Sequence, residues 1–505
     1  MALKGNALMI GITSACGMGF LLFGYDQGVM GGVLGGKPFN DHFNNPSALQ
    51  QGLIVGLYDL GCLIGSVAFF WASEPLGRKK SIYIGAIIVI IGTILQVTAN
   101  SVGHLIAGRI VTGVGVGINT AIIPTWQAEV SSVKRRAALL TISAALITCG
   151  FTISNFVCYG TSFNTTNFQW QFPIALQVLF AVYLLVAIPF LVESPRWIAN
   201  HRSLAEASTV ISRLRDLPED HPEVANVVNE IATALQEEKG GKWTEIFHNG
   251  GQQNFRRMML GVGGLYMQQL CGINAVAYYI AVILNVQVGL SSSLAHILAS
   301  VSGLQCFLIC ISSIFFINRI SRRQAMMWGA VAQATVFALV CVGFNISPRG
   351  GGILVTTMFF LFFDAFALSY LNVPWMYAPE INSLKMRSKG AALASASNWL
   401  FNGIVVTITP IALSHIGWRY WLIWAVFNIS FVPMVYFLYP ETRGLTLEQI
   451  DHIFAGHKQG LTQGVKESTR MPRFQDGLLH PIPVGTGAED ENEKGVTEVQ
   501  AETKA

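Results

Sequence analysis

The sequence predicts an all-α membrane protein whose twelve transmembrane helices form two similar six-helix halves. Three observations carry that prediction. The chain of 505 residues is 52% hydrophobic and only 12% charged, with a mean hydropathy of +0.48; a soluble chain carries about twice that charge. Twelve apolar runs recur along it, each of roughly 20 residues, the length that crosses a bilayer as a helix. Short polar motifs of the first half return in the second at nearly constant distance.

The runs lie at about 7–30, 51–71, 81–99, 104–124, 137–159, 172–192, 258–284, 295–317, 325–344, 353–377, 391–413 and 419–438. Basic residues set their direction. Arg78, Lys79 and Lys80 follow span 2, and Lys134, Arg135 and Arg136 follow span 4. Arg319, Arg322 and Arg323 follow span 8, and Lys385, Arg387 and Lys389 follow span 10, while the alternate loops are almost free of Lys and Arg. Both termini are therefore expected in the cytoplasm. The loop 160–171 is then external, and its Asn164-Thr165-Thr166 is a glycosylation sequon, used or unused. No basic segment with a short apolar core and a small-residue cleavage site opens the chain. All eight cysteines fall in or beside apolar runs, which gives neither a disulfide framework nor a metal site.

The expected division is an N-terminal half, 1–192, a cytoplasmic helical linker, 193–257, and a C-terminal half, 258–455. A tail, 456–505, is poor in large apolar groups and is expected to be disordered. The linker holds helix-like stretches at Leu204–Leu214 and Glu223–Glu238. The halves repeat: GRKK at Gly77–Lys80 answers ISRR at Ile320–Arg323, PTWQAE at Pro124–Glu129 answers PWMYAPE at Pro374–Glu380, and ESPRW at Glu193–Trp197 answers PETRG at Pro440–Gly444. The offsets are 244 (Arg78 to Arg322), 251 (Glu129 to Glu380) and 248 (Glu193 to Glu441), which speaks for duplication and for halves related about an axis along the membrane normal.

One stretch inside span 7, Gln268–Tyr279, is too polar for lipid. It carries Gln268, Gln269, Asn274 and two tyrosines, and amides in hydrocarbon are costly without partners. On an unbroken helix, Gln269 and Asn274 would stand about 140° apart. Gly272 lies between them, where the backbone can loosen, and broken helices that line a mid-membrane cavity mark secondary transporters. Amides and tyrosines suit a neutral, hydroxyl-rich ligand. The competing reading is polar contacts that hold a bundle together. The glycines Gly113, Gly115 and Gly117 of span 4 follow no strand, so they point to close helix packing and not to a dinucleotide loop. Asp26 and Arg109 are the deepest charges. They fall at similar depth on spans 1 and 4 and are expected to pair.

In combination, GYDQG (Gly24–Gly28), LGRKK, GRIVTGVGVG (Gly108–Gly117), PTWQAE, VESPRW, QQLCGINAVAYY, VPWMYAPE, NWLFN (Asn398–Asn402) and PETRGLTLE resemble the fungal sugar porters of the major facilitator superfamily over all twelve spans. The wording of several motifs is similar to the branch that includes polyol–proton symporters. The resemblance implies substrate contacts at Gln268, Gln269, Asn274, Tyr279, Trp375, Trp399 and Asn402, and proton coupling at Asp26 with Arg109. It implies an inner gate of ion pairs carried by Arg78, Glu129, Arg136, Glu193, Arg323, Glu380, Arg387 and Glu441. The plainer reading of those charges is determinants of topology. Three departures stand out. Pro75 replaces a usual basic residue, Asn318 and Ser321 replace an acid and a glycine before the second arginine pair, and Ala144 stands where a Gln or Glu is common in span 5. The second weakens the second gate, and the last removes a hydrogen-bonding partner, which favours a smaller polyol or a different substrate.

The expected function is import of a hexose, pentose or polyol by proton symport, through alternating access, in the plasma membrane, by a chain acting as a monomer in the lipid bilayer. The rivals are a facilitative uniporter, an exporter of a fungal metabolite on the same scaffold, and a non-transporting nutrient sensor. No cofactor, metal or nucleic acid is expected. With no nucleophile–base pair in sight, neither is an enzyme.

Overall fold

The computed structural model describes residues 3–480 apart from 132, 239–242, 249, 316–319, 347, 384, 446, 456–461, 472 and 476–477. The twelve spans are helical. Spans 1 to 5 are Gly5–Leu34, Ala48–Leu76, Arg78–Val97, Val102–Val130 and Val133–Thr161. Span 6 is Phe168–Phe190, with small breaks. Span 7 runs from Asn254 to Gln287 in pieces. Spans 8 and 9 are Ser292–Ser313 and Arg322–Gly343. Span 10 joins Pro348–Leu368 to Val373–Ile381, and spans 11 and 12 are Arg387–Ile416 and Tyr420–Leu438. Serines set several starts: Ser47 and Gln50 form a reciprocal capping box ahead of span 2, and Ser101, Ser291 and Ser321 cap spans 4, 8 and 9.

The packing repeats with a period of six spans. Span 2 packs on span 4, as 8 does on 10; 3 on 4, as 9 on 10; 1 on 5, as 7 on 11; and 3 on 6, as 9 on 12. Between the halves, span 2 meets span 11 and span 8 meets span 5, two contacts that a six-span shift exchanges. This is the twofold expected from the duplicated motifs, and the architecture is the major facilitator fold. The span 4 glycines work as packing surfaces. A Cβ on Gly113 would lie 2.2 Å from the Tyr58 carbonyl oxygen, and one on Gly117 2.2 Å from that of Cys62, so span 2 rests on bare backbone.

The connection after span 6 folds into helices Pro195–His201, Leu204–Arg215 and Pro222–Glu238 and a short turn at Trp243–Phe247. Trp243 packs on Phe70 and Trp71 of span 2, and the Lys389 ammonium of span 11 lies over its ring, so the connection touches both halves. Helix Leu447–Phe454 follows span 12. Its Asp451 meets the buried Arg257 guanidinium at 2.5 Å.

The expectation of disorder past residue 456 needs correction. Residues Gln463–Arg470 form a helix, and Arg473–Gln475 pair antiparallel with Leu478–His480. Few apolar groups suffice for the helix because Val465 and Ser468 are buried and Ser468 Oγ accepts from the Glu441 backbone N–H at 3.0 Å. Residues 481–505 lie outside the described residues.

Candidate functional site: a buried amide line between the halves

Span 7 stops at Leu270, Gly272 takes φ +92°, and a short helix resumes at Ile273–Ala277. A second interruption at Tyr278–Tyr279 bends the remainder by 53°. Positive φ costs an L residue roughly 1–2 kcal/mol, which glycine avoids. This break cancels the separation that a continuous helix would impose on Gln269 and Asn274: Asn274 Nδ2 donates to Gln269 Oε1 at 2.6 Å. The same amide nitrogen donates to Asn402 Oδ1 of span 11 at 2.6 Å, and Gln269 Nε2 donates to Asn398 Oδ1 at 2.5 Å. Asn402 Nδ2 then donates to Asp59 Oδ1 of span 2 at 3.0 Å. Four amides thus run in one hydrogen-bonded line from the second half to a carboxylate of the first, and every member is buried.

Beside this line, Arg109 Nη1 and Asp26 Oδ1 stand 2.6 Å apart, both side chains fully buried. Arg109 also donates through Nε to the Ile54 carbonyl at 3.2 Å and lies 4.2 Å over the Tyr58 ring. Asp26 Oδ2, Arg109 Nη2, Asp59 Oδ2, Tyr58 OH and Tyr278 OH are buried without a hydrogen-bond partner, so the cluster holds unused polar capacity inside the bundle.

The remaining expected contacts divide. Gln268 does not face the line: its Nε2 donates to the carbonyls of Tyr370 and Leu371, where span 10 is interrupted. Tyr279 donates to the Val406 carbonyl at 3.0 Å and braces spans 7 and 11. Trp399 is buried edge-on against Phe23 of span 1, ring centroids 5.2 Å apart. Trp375 is 39% exposed. Two members were passed over in the sequence. Asn398 precedes Asn402 by one helical turn within NWLFN, and that spacing is the signal that marks it. Asp59 was visible only as an acid within a span. Ala144 is buried near span 8 residue Cys310 and offers no polar group.

The motifs at the face bearing the linker form two matched corners. Arg78 grips Glu129 through Nε and Nη2 at 3.0 and 2.9 Å. The Glu193 carboxylate accepts the backbone N–H groups of Arg78 and Lys79, both at 3.1 Å. It caps the first turn of span 3, where unpaired donors favour an anion. In the second half, Glu441 accepts from the backbone of Arg322 and Arg323 at 3.0 and 3.2 Å, and from the Ser321 hydroxyl. The acid-pairing arginine here is Arg322, 3.5 Å from Glu380, and not Arg323. The Arg323 side chain turns away to the Tyr436 carbonyl, at 2.6 Å, and over the Tyr436 ring. The reason is register: Arg322 is the first residue after the Ser321 cap, as Arg78 is after Gly77. Glu129 is taken by Arg78, and each corner closes within its own half. Arg387 opens span 11; the Arg136 side chain and Asn318 lie outside the described residues. At the opposite face the halves touch through glycine: Gly52 and Gly56 face Thr407, and Gly31 faces the Tyr278 carbonyl, a Cβ at each meeting an atom at 1.8–2.3 Å.

Two repeated six-helix halves that meet around buried polar groups, with a broken helix among them, define a secondary transporter. A model of the family described as "Sugar (and other) transporter" matches residues 12–454. The chain is 38% identical to the MFS-type transporter oryC of Aspergillus oryzae, over 90% of this chain and 86% of that one. It is 35% identical to the sugar transporter STL1 of Saccharomyces cerevisiae, over 97% and 89%. The solved structure of the proton:xylose symporter XylE superposes with a TM-score of 0.76 at 22% identity, over 89% of this chain and all of that one, a likeness of fold. The chain belongs to the sugar (and other) transporter family: it is a multi-pass membrane transporter of the major facilitator superfamily and not an enzyme.

Proposed function

We propose that this transporter moves a neutral polyhydroxylated solute, a sugar or polyol, inward by alternating access with a proton. The observation that carries the reading is the amide line Asn398–Gln269–Asn274–Asn402, which ends on Asp59 of the other half. These groups bond one another while the halves are joined at the face opposite the linker. A solute whose hydroxyls both donate and accept can replace those bonds one for one, so the site opens without stranding buried amides. Names borne by relatives, a sugar transporter and a proton:xylose symporter, agree with such a solute.

Proton coupling is assigned to Asp26 and Arg109. The pair is held at 2.6 Å, and alternating access changes that distance, which links a proton at Asp26 to conformation. The corners at Arg78–Glu129 and Arg322–Glu380 are assigned to the cytoplasmic side, with both termini, in a plasma-membrane monomer. Asn164, exposed in the loop 160–171, is assigned as a glycan acceptor; its Oδ1 already accepts from the backbone and hydroxyl of Thr166. The test is uptake of labelled D-glucose, D-xylose, glycerol and sorbitol in a yeast lacking its own carriers. Wild type is expected to accumulate one of them uphill, with alkalinisation of the medium and collapse by an uncoupler. Asp26→Asn is expected to lose accumulation while solute counterflow persists. Uptake indifferent to uncoupler and external pH would make the protein a facilitator, a second reading favoured by the complete burial of the Asp26–Arg109 pair, with Asp26 a structural partner.

A further inference from the structure

Asp59 sits where the two halves join. Its side chain is fully buried, and span 11 presses on it: a Cβ on Gly403 would lie 3.2 Å from the Asp59 Cβ. Among the described residues, its side chain's only hydrogen bond comes from a neutral amide, Asn402 Nδ2, and Oδ2 has no partner. The charged and titratable groups around it are Asp26 from span 1, Tyr58 and Cys62 on its own span, Arg109 from span 4, and Tyr278 and Tyr279 from span 7; span 11 contributes Asn402. Among these stand two carboxyl groups and one cation, and the cation is already 2.6 Å from Asp26. A second, unpaired carboxylate in a dry seam is costly, whereas a neutral carboxylic acid is not.

We propose that Asp59 is a proton-carrying residue of the transport cycle, protonated from outer-side water as spans 2 and 11 close over it and deprotonated to linker-side water once the solute leaves the amides and the cavity fills. One O–H bond forms at Asp59 Oδ2 on the outer side and the same bond breaks on the linker side, with no other bond made or broken. Because Asn402 bonds Asp59 on one side and Asn274 on the other, a solute that engages the amides also changes the partner of this carboxyl group. Solute occupancy and protonation thereby meet at one carboxyl group. The inference rests on the alternating-access, proton-linked reading above and adds a second acid to it.

Two experiments test it on the full-length protein. In wild-type membranes, N,N′-dicyclohexylcarbodiimide adds across protonated carboxyl groups in apolar surroundings, leaving an N-acylurea. Peptide mapping is expected to find that adduct on Asp59 at pH 5.5, falling severalfold by pH 8, with Asp26 unmodified. An adduct on Asp26 alone, or on neither acid at pH 5.5, overturns the proposal. In cells, Asp59→Asn is expected to reduce the accumulation ratio of the accepted panel solute at least tenfold and to flatten its pH dependence, and Asp59→Glu to restore that dependence. A proton-coupled wild type beside an Asp59→Asn variant with unaltered accumulation and pH profile overturns this inference and leaves the Asp26 reading standing. A wild type without coupling overturns both. The labelling uses wild type alone, so a poorly folding variant leaves the question decidable.

Discussion

At the residue scale, the amide line is a set of buried donors and acceptors whose satisfaction depends on one another. Asn274 donates twice, to Gln269 and to Asn402, so it is the branch point. Removing it strands two acceptors, and each lost hydrogen bond is worth on the order of 1 kcal/mol net, with a further cost for the partner left bare. Asn274→Ala and Gln269→Ala are expected to weaken apparent solute affinity roughly tenfold or more, at the ~1.4 kcal/mol that a decade requires, in uptake kinetics corrected for surface expression. Gln268→Ala serves as the contrast, because its amide is spent on the span 10 carbonyls: it is expected to alter stability and expression more than affinity. Equal affinity in all three variants would remove the amide line from the binding site.

At the element scale, span 7 is built to be interrupted. Gly272 holds φ +92°, and a Cβ there would lie 3.0 Å from Phe337 and 3.1 Å from Trp424. Both strain and crowding therefore oppose any side chain. Gly272→Ala is expected to cost on the order of 1–3 kcal/mol, read as a lowered unfolding temperature in detergent, together with weakened solute affinity as Asn274 swings off Gln269. A variant with wild-type melting and kinetics would mean that the break is not what aligns the amides. The same logic of close approach explains span 4, whose glycines let the carbonyl oxygens of span 2 settle against them and so carry Asp59 and Tyr58 toward Arg109.

At the scale of the whole molecule, the largest contacts between the two halves are spans 2 with 11 and 5 with 8, with span 1 against span 7 beside them. On the proposed alternating-access cycle, rocking opens the first of these at Gly52 and Gly56, where Thr407 leaves no room for a side chain. Gly56→Leu is expected to wedge the seam apart. Solute uptake would stall with surface expression intact, and a cysteine placed at the buried Ala281 would become severalfold more reactive to an impermeant maleimide added from that side. Unchanged labelling would count against this seam as the gate. The corners at the opposite face behave differently, since Arg78–Glu129 and Arg322–Glu380 each stay within one half. They hold the ends of spans 3 and 4, and of spans 9 and 10, together, which suits rigid halves that rock.

The sequence by itself determined the class, the twelve spans, the duplication and the polar break in span 7. Each of these is written in local pattern: apolar length, basic loops, repeated motifs, and a glycine between amides. It also pointed to the Asp26–Arg109 pair, because two charges at equal depth in hydrocarbon have few other solutions. Only the tertiary structure decided which amides meet. Gln268 and Gln269 are neighbours in the chain, yet a rotation of one residue sends the first to span 10 and the second to span 11. Only the structure put Arg322 rather than Arg323 against Glu380, since one residue of helical register separates them. And only the structure gave Asp59 a place, because its surroundings come from spans 1, 4, 7 and 11, more than three hundred residues away in the case of Asn402. A hydrogen bond of that reach leaves no periodic trace in the chain.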